Sequence, residues 1–456
     1  MSKKISLDSS YNGFDNTAFL SGNNSIDSLL IGYSWTGTVG RPATNITYAF
    51  QGSPDATFVA DMNYAIQSWK NVANVHFTNV TGTSQAQNAN VVLVEDNTLL
   101  SQGLLGVTYP TVVAGSTQLY HAEVRVLPTS MGPDRANQNG DDISTMIHEL
   151  GHALGLKHPE NYGGDADSLG PFLPAATSSK DYTVMSYSYG NYASAASPAQ
   201  TPMQYDIEAM QYLYGANTNS LFDASMGQSV GHTTYITGAL TTQTIWDGGG
   251  INTFNTMSFT GNVNLDLRQG AFSSVGSSEI AIAWGTHIQN VHTGAGNDTI
   301  IANNGGMGIG GQFGDSIVTG AGNDFIQGNL GNDTIISGPG NSIIHGGQGA
   351  NIIVGGAGND TIFLERGTNT VTGGSGGNNV YMVLDMNGPT GPNNTITNFN
   401  PAKDLFEISH RIFANSTQAL AAVDSSGIIH LTDGGTISLS GISPSQLSAS
   451  DFVIVA

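Results

Sequence analysis

The sequence contains no cysteine. No disulfide therefore ties the chain, and no thiolate is available as a metal ligand. Positive charge is scarce as well: 12 Lys and Arg stand against 34 Asp and Glu, a formal net charge of −22. That balance excludes nucleic acid or an anionic membrane as the main partner. The opening segment, MSKKISLDSSYNGFDNTAFL, lacks the apolar core of a secretory signal. No stretch approaches the roughly 18 apolar residues of a membrane span. These absences alone point to a cytoplasmic protein; the C-terminal half points the other way. What the chain has in excess is glycine, at 60 of 456 positions, while charged residues make up only 10%. An acidic, Gly-rich, Lys-poor chain that folds is expected to neutralise clustered carboxylates with bound cations.

The length accommodates two or more domains. Residues 1–30 are polar and weakly patterned, as in an arm or a short propeptide. TNITYAF (44–50), VHFTNV (75–80), NVVLVE (90–95) and HAEVRVLP (121–128) read as strands. The last of these is a candidate sheet edge to which an extended peptide adds, or else an internal strand. Ser53-Pro54 is expected to open a helix whose apolar face runs Phe58, Met62, Ala65, Ile66, Trp69. Asp141-Asp142 are expected to cap a second helix, and Thr201-Pro202 to open a third that ends at Leu213-Tyr214-Gly215.

The second of these helices carries HELGHALGLKHP at 148–159. His148 and His152 are four apart and share one helix face. Gly155 lets the chain leave the helix through a left-handed conformation, so that His158 returns as a third ligand, and Pro159 prevents the helix resuming. Three imidazoles with an open fourth position are the ligand set of a catalytic zinc ion, and Glu149 is placed to reach a water there. The extended motif requires a downstream Met-turn, and DYTVMSY (181–187), with Met185, supplies one. Met185 reads as an apolar floor beneath the histidines rather than a ligand.

From about Trp246 long helical patterns disappear, and a nine-residue period runs from 293 to 363: TGAGNDTII, TGAGNDFIQ, GNLGNDTII, GGQGANIIV, GGAGNDTIF. Ile317, Ile326, Ile335, Ile344, Ile353 and Ile362 fall nine apart without a break. This is the G-G-x-G-x-D-x-U-x pattern of a calcium-binding parallel β-roll. Glycine allows carbonyl oxygens to converge, Asp supplies the hard anionic oxygen, and isoleucine stacks inward on the next repeat. Candidate calcium residues are Gly294, Gly296, Asp298, Asp315, Gly320, Gly322, Asp324, Asn329, Gly331, Asp333, Gly356, Gly358 and Asp360, with Asp247 and Gly249 as weaker ones. Ser342 and Asn351 stand where Asp is expected.

With both motifs in view the chain resembles the serralysin family of secreted bacterial zinc metalloproteases. HELGHALGLKHP and VMSY (184–187) match that family's zinc motif and Met-turn, and QYLYGAN (211–217) resembles the segment closing its protease domain. WDGG (246–249) resembles the start of its β-roll, and DFVIV (451–455) its C-terminal export signal. The position after Gly250 departs, with Ile251-Asn252 where the family has Asn-Asp. The resemblance implies an α+β metzincin-type catalytic domain (31–222), connecting strands and an all-β calcium-binding β-roll (223–385), and a β cap with a type I secretion signal (386–456). It implies one catalytic Zn²⁺ on His148, His152 and His158, Glu149 as general base, and Tyr187 as a resting zinc ligand and oxyanion donor. Several structural Ca²⁺ ions are implied in the roll. Protein or peptide substrates, a type I export apparatus of a Gram-negative bacterium and a periplasmic protein inhibitor are the implied partners of an extracellular monomer. A calcium-dependent adhesin or surface-layer protein is the alternative, since such repeats occur in many exported proteins. A different exported hydrolase such as a lipase is a third reading, and would need a G-x-S-x-G nucleophile elbow at a strand-to-helix turn.

Overall fold

The computed structural model describes residues 4–7, 19–127, 141–161, 170–191, 198–218, 234–236, 242–249, 251–304, 314–374, 376–384 and 392–456. The chain forms two compact units. Residues 1–222, 240–249 and 278–286 make the first, and 223–239, 250–277 and 287–456 the second.

The first unit is α+β. Its elements are β1 (Lys4–Leu7), α1 (Asn24–Asp27), β2 (Ala43–Phe50), α2 (Ala56–Val72), β3 (Val75–Asn79), β4 (Val91–Glu95), α3 (Leu99–Gln102), β5 (Leu104–Val112), β6 (Leu119–Val126), α4 (Asp141–Ala153) and α5 (Gln204–Tyr214). The strands form one sheet in the order β1-β5-β6-β4-β2-β3. All neighbours run parallel except β5 and β6. The expectation that 121–128 offers a sheet edge is therefore corrected. Strand β6 is paired on both sides, by β4 and by β5. Ala122, Val124 and Val126 point into the core at period two.

Helix α2 presents Phe58, Met62, Ala65, Ile66 and Trp69 to the core, as their spacing requires. Its cap is Asp55 rather than Ser53: Asp55 Oδ1 accepts from the amides of Thr57 and Phe58 at 2.7 and 3.1 Å. Helix α5 likewise starts at Gln204, beyond Pro202, and stops at Gly215. Asp141 and Asp142 lie within α4, and the residue preceding them is outside the described set. Buried donors tie down the C-terminal end of α4. Trp69 Nε1 donates to Ile147 O and Trp35 Nε1 to Ala153 O, both at 3.0 Å, and Tyr214 Oη donates to Leu154 O at 2.6 Å. Backbone carbonyls along α4 and just past its end thus accept from buried aromatic side chains, which fixes the platform for the motif.

The second unit is a parallel β-roll. Asn290–Thr293, Ser316–Val318, Thr334–Ile336, Ile352–Val354 and Thr370–Thr372 lie side by side in one sheet. Thr299–Ile301, Phe325–Gln327, Ile343–His345, Thr361–Phe363 and Val380–Val383 form the other. Successive nonapeptides alternate between sheets, so Ile317, Ile335 and Ile353 stack in one column and Ile326, Ile344 and Ile362 in the second. All six are at most 1% exposed, and each contributes about 1.5–3 kcal/mol of burial free energy. The turns stack so closely that a Cβ on Gly358 would sit 1.6 Å from Gly340 O. From 392 onward the same two sheets continue. Tyr381, Phe399, Phe406 and Phe452 form an aromatic stack there that carries the last strand, Phe452–Val455.

Candidate metal centres

The three histidines of the motif converge. His148 Nε2 lies 3.1 Å and His152 Nε2 3.2 Å from His158 Nε2. All three side chains are buried. Gly155 has φ +108°, and a Cβ there would stand 2.4 Å from Tyr33 O, so only glycine makes the turn that brings His158 back. His148 Nδ1 donates to Val184 O at 2.7 Å and His152 Nδ1 to Leu156 O at 2.8 Å. These bonds fix the tautomer: the protons sit on Nδ1, and both Nε2 atoms present lone pairs to a shared point. Burial first, and then the neighbouring rings, hold His148 and His152 well below the usual imidazole range. Neutral ring nitrogens facing one another at this distance, with few protons to share, fit a divalent transition-metal ion.

Glu149 follows the first histidine and is fully buried. Thr108 Oγ1 donates to its Oε2 at 2.5 Å and also contacts its backbone oxygen at 3.0 Å. Oε1 is buried without a hydrogen-bond partner. Burial pushes this carboxyl up to about 8, and the Thr108 hydroxyl opposes the shift. Gly106 makes the approach feasible, since a Cβ there would meet Oε1 at 2.6 Å.

Below the histidines Met185 is fully buried, with Sδ 2.7 Å from where a Cβ on Gly151 would stand. Its thioether packs under the helix at the one position without a side chain. Tyr187 lies against the cluster, its ring centroid 4.6 Å from that of His158 and 5.9 Å from that of His148.

Four supporting residues escape a reading of local motifs. Asp206 of α5 is buried and accepts from Val184 N at 2.7 Å and Met203 N at 2.8 Å. It also accepts from Thr183 Oγ1, so it holds the Met-turn, and burial raises it to about 7. Glu160 Oε1 accepts from Ser186 Oγ at 2.6 Å, linking the third-histidine loop to the Met-turn. Lys157, fully buried, donates to Ser28 O, His158 O and Pro171 O. Thr108 is the fourth. An acid in the first turn of α5 was the only advance signal for Asp206; the other three are brought in by tertiary packing.

The repeat residues fall into two columns. Asp298, Asp324, Ser342 and Asp360 follow one edge of the roll, and Asp315, Asp333 and Asn351 the other. In each column a side-chain oxygen accepts the backbone N–H one rung before, at 2.7–2.9 Å for Asp324, Asp333, Asn351 and Asp360. The second carboxylate oxygens of Asp298, Asp315, Asp324, Asp333 and Asp360 are buried without partners. Asn351 differs, because its Nδ2 donates to Gly346 O at 3.1 Å. Orphaned hard oxygens beside stacked glycine carbonyls suit calcium, and the Asn substitution closes its own position. Gly294, Gly296, Gly320, Gly322, Gly331, Gly356 and Gly358 lie in these turns, where an added Cβ at Gly322 would meet Gly296 O at 1.6 Å. Asn329 takes a glycine-like φ of 64° and commits its amide to Ala302 O at 2.6 Å. Asp247 and Gly249 lie in the first unit, with Gly249 N donating to Asp247 Oδ1 at 2.9 Å.

Comparison with known proteins bears on both units. A family profile described as Peptidase M10 serralysin C terminal matches residues 205–429. Serralysin A of Dickeya chrysanthemi is 31% identical over 303 residues, covering 59% of this chain and 61% of that protein. Serralysin of Photorhabdus laumondii is 33% identical over 263 residues, 52% of each chain. Metallopeptidase AprA of Pseudomonas marginalis is 33% identical over 261 residues, 53% of each. This chain thus spans about half to three-fifths of the length of the curated relatives it matches. Through these likenesses, together with an α+β unit and a parallel roll in the order the motifs demand, the chain is similar to the serralysin family.

Proposed function

We propose that the protein is a secreted zinc-dependent endopeptidase stabilised by calcium in its C-terminal roll. The observation that carries this reading is the meeting of three buried imidazole nitrogens, with Glu149 next in sequence to the first and its Oε1 unpartnered. His148, His152 and His158 hold the metal. Zinc in that position supplies Lewis acidity, lowering the pKa of a water towards about 7 and polarising the scissile carbonyl.

The remaining work falls to the chain's own groups. Glu149 is anchored through Oε2 by Thr108, so Oε1 is the atom that takes a proton from the attacking water. As the carbon–nitrogen bond breaks, the same oxygen returns that proton to the departing amine. The Tyr187 phenol donates to the developing oxyanion. The extended substrate adds along β5 beyond Thr108, where among the described residues β6 alone pairs with it and where it carries Pro110, a residue that strands accept at edges.

The roll holds several Ca²⁺ ions on Asp298, Asp315, Asp324, Asp333 and Asp360. Export by a type I apparatus keeps the chain unfolded where calcium is low, and calcium outside the cell folds it. Protein and peptide substrates, that apparatus and a periplasmic inhibitor are the proposed partners. Purified protein assayed for zinc content and for cleavage of casein tests the whole reading. One zinc per chain with chelator-sensitive cleavage supports it. Folded protein without zinc or cleavage leaves the calcium-dependent adhesin.

A further inference from the structure

We propose that Glu160 is a positioning residue for Tyr187: through Ser186 it fixes where the phenol stands beside the histidines. The inference rests on the proteolytic reading above and deepens it at one residue of the same site. The histidine motif ends at Pro159, and Glu160 is the next residue. Its Oε1 takes two hydroxyls at once, from Ser186 of the Met-turn at 2.6 Å and from Ser178. Ser186 Oγ in turn accepts from Ser188 N at 3.1 Å. Ser186 and Ser188 are the two chain neighbours of Tyr187. Both flanks of the tyrosine are therefore tied, directly or through one hydroxyl, to the side chain that follows the third histidine and its proline. Ser186 Oγ accepts one of these bonds and donates the other, an arrangement in which each strengthens its neighbour.

The tyrosine needs such an anchor. Ser186 is fully buried, but Tyr187 is only half-buried and Ser188 is exposed. Ring contact with His158 and His148 is non-directional and does not by itself set the reach of the phenol. That reach follows from the backbone position and the rotamer. A group that donates to a developing charge must sit within hydrogen-bond distance of it, and a misplacement of about 1 Å can cost about a hundredfold in rate. Glu160 joins the Met-turn to the loop that carries His158, so phenol and histidines are held as one body. For stability alone the arrangement is poor. Among the described residues Glu160 Oε2 is buried without a hydrogen-bond partner, which is unfavourable. What the side chain supplies is geometry, because one oxygen gathers hydroxyls from two separate segments.

The test is a double-mutant cycle in the zinc-loaded full chain, with cleavage of an internally quenched peptide giving kcat and KM. Glu160→Ala should lower kcat about tenfold and leave KM within about twofold. Glu160→Gln keeps an oxygen for both hydroxyls and should restore most of kcat. In a Tyr187→Phe background neither change should lower kcat further, whereas a merely structural residue would cost the same factor in both backgrounds. Ser186→Ala removes only the linking hydroxyl and should reproduce Glu160→Ala, which covers the case of a Glu160→Ala chain that does not fold. Fluorotyrosine labelling gives a readout without turnover. The fluorine resonance missing from Tyr187→Phe identifies Tyr187, and Glu160→Ala or Ser186→Ala should shift or broaden it while Glu160→Gln leaves it in place. An unchanged kcat, equal losses in both backgrounds, or an unmoved Tyr187 resonance would overturn the proposal. No cleavage by the parent chain, with the resonance moving as expected, would bring down the proteolytic reading and leave the positioning of Tyr187 standing.

Discussion

The two units present candidate cation ligands in opposite ways. In the first, the candidate ligand atoms are imidazole nitrogens, and the groups that orient them are hydrogen-bonded: Nδ1 of His148 and His152 on backbone carbonyls, the Met-turn on Asp206, and α4 and the turn after it on Trp35, Trp69 and Tyr214. The apolar core and these bonds set the three nitrogens in place. In the roll, the ligand atoms are carboxylate oxygens buried without partners, in turns made of glycine. There the cation is part of what makes burial tolerable. One site is preorganised, and the other is completed only by its ligand. The first unit should therefore outlast loss of its metal, and the roll should not.

The sharpest way to break this comparison is at Glu149. Glu149→Ala should leave zinc bound, because the three nitrogens do not depend on it, and lower kcat/KM by about four orders of magnitude. Loss of zinc in that variant, measured by metal analysis, would mean the pocket is not preorganised.

Calcium removal should produce the next largest effect. Chelation at pH 8 should unfold residues 290–384 while the first unit keeps its circular dichroism and its resistance to proteolysis. The pH dependence of the calcium-free roll follows from its carboxyls. Burial, with Asp333 close by, raises Asp315 to about 8, and burial raises Asp333 and Asp360 to about 6. Raised values in the folded state mean that folding takes up protons. The stabilising contribution is complete below the unfolded value near 3.8 and is lost as pH rises through about 6 to 8. Calcium-free roll should thus melt at higher temperature at pH 4.5 than at pH 8, and calcium should reverse that order. Melting that is independent of pH in chelator would contradict the buried-carboxyl account.

Asp206→Ala removes an acceptor from three donors at the Met-turn. The expected cost is about 3 kcal/mol of stability in the first unit, with weaker zinc binding and no change in the calcium midpoint of the roll. Thr108→Val is the mildest change. It keeps the shape beside Glu149 and removes one hydroxyl, so kcat should fall about tenfold with KM unchanged, and Thr108→Ser should restore it.

Local motifs carried most of the histidine site because its ligands lie within one turn and one loop of a single segment. The repeat was legible for the same reason: each nonapeptide writes its own turn, strand and inward isoleucine. Strand β5 was not legible, since Gly106 and Pro110 interrupt its pattern, and both have tertiary reasons. Gly106 clears space for Glu149, and Pro110 is tolerated away from the sheet centre. Missing β5 also made β6 look like an edge. Thr108 and Asp206 reach the site across 41 and 22 or more residues, through sheet and helix packing that no local window contains.

X-ray absorption at the zinc edge on folded, calcium-saturated protein tests the preorganised centre most directly. The spectrum should show one zinc per chain with three imidazole nitrogens at about 2.0–2.1 Å and remaining contacts to oxygen. A fourth imidazole, or folded protein without zinc even after exposure to it, would contradict a catalytic centre built from His148, His152 and His158.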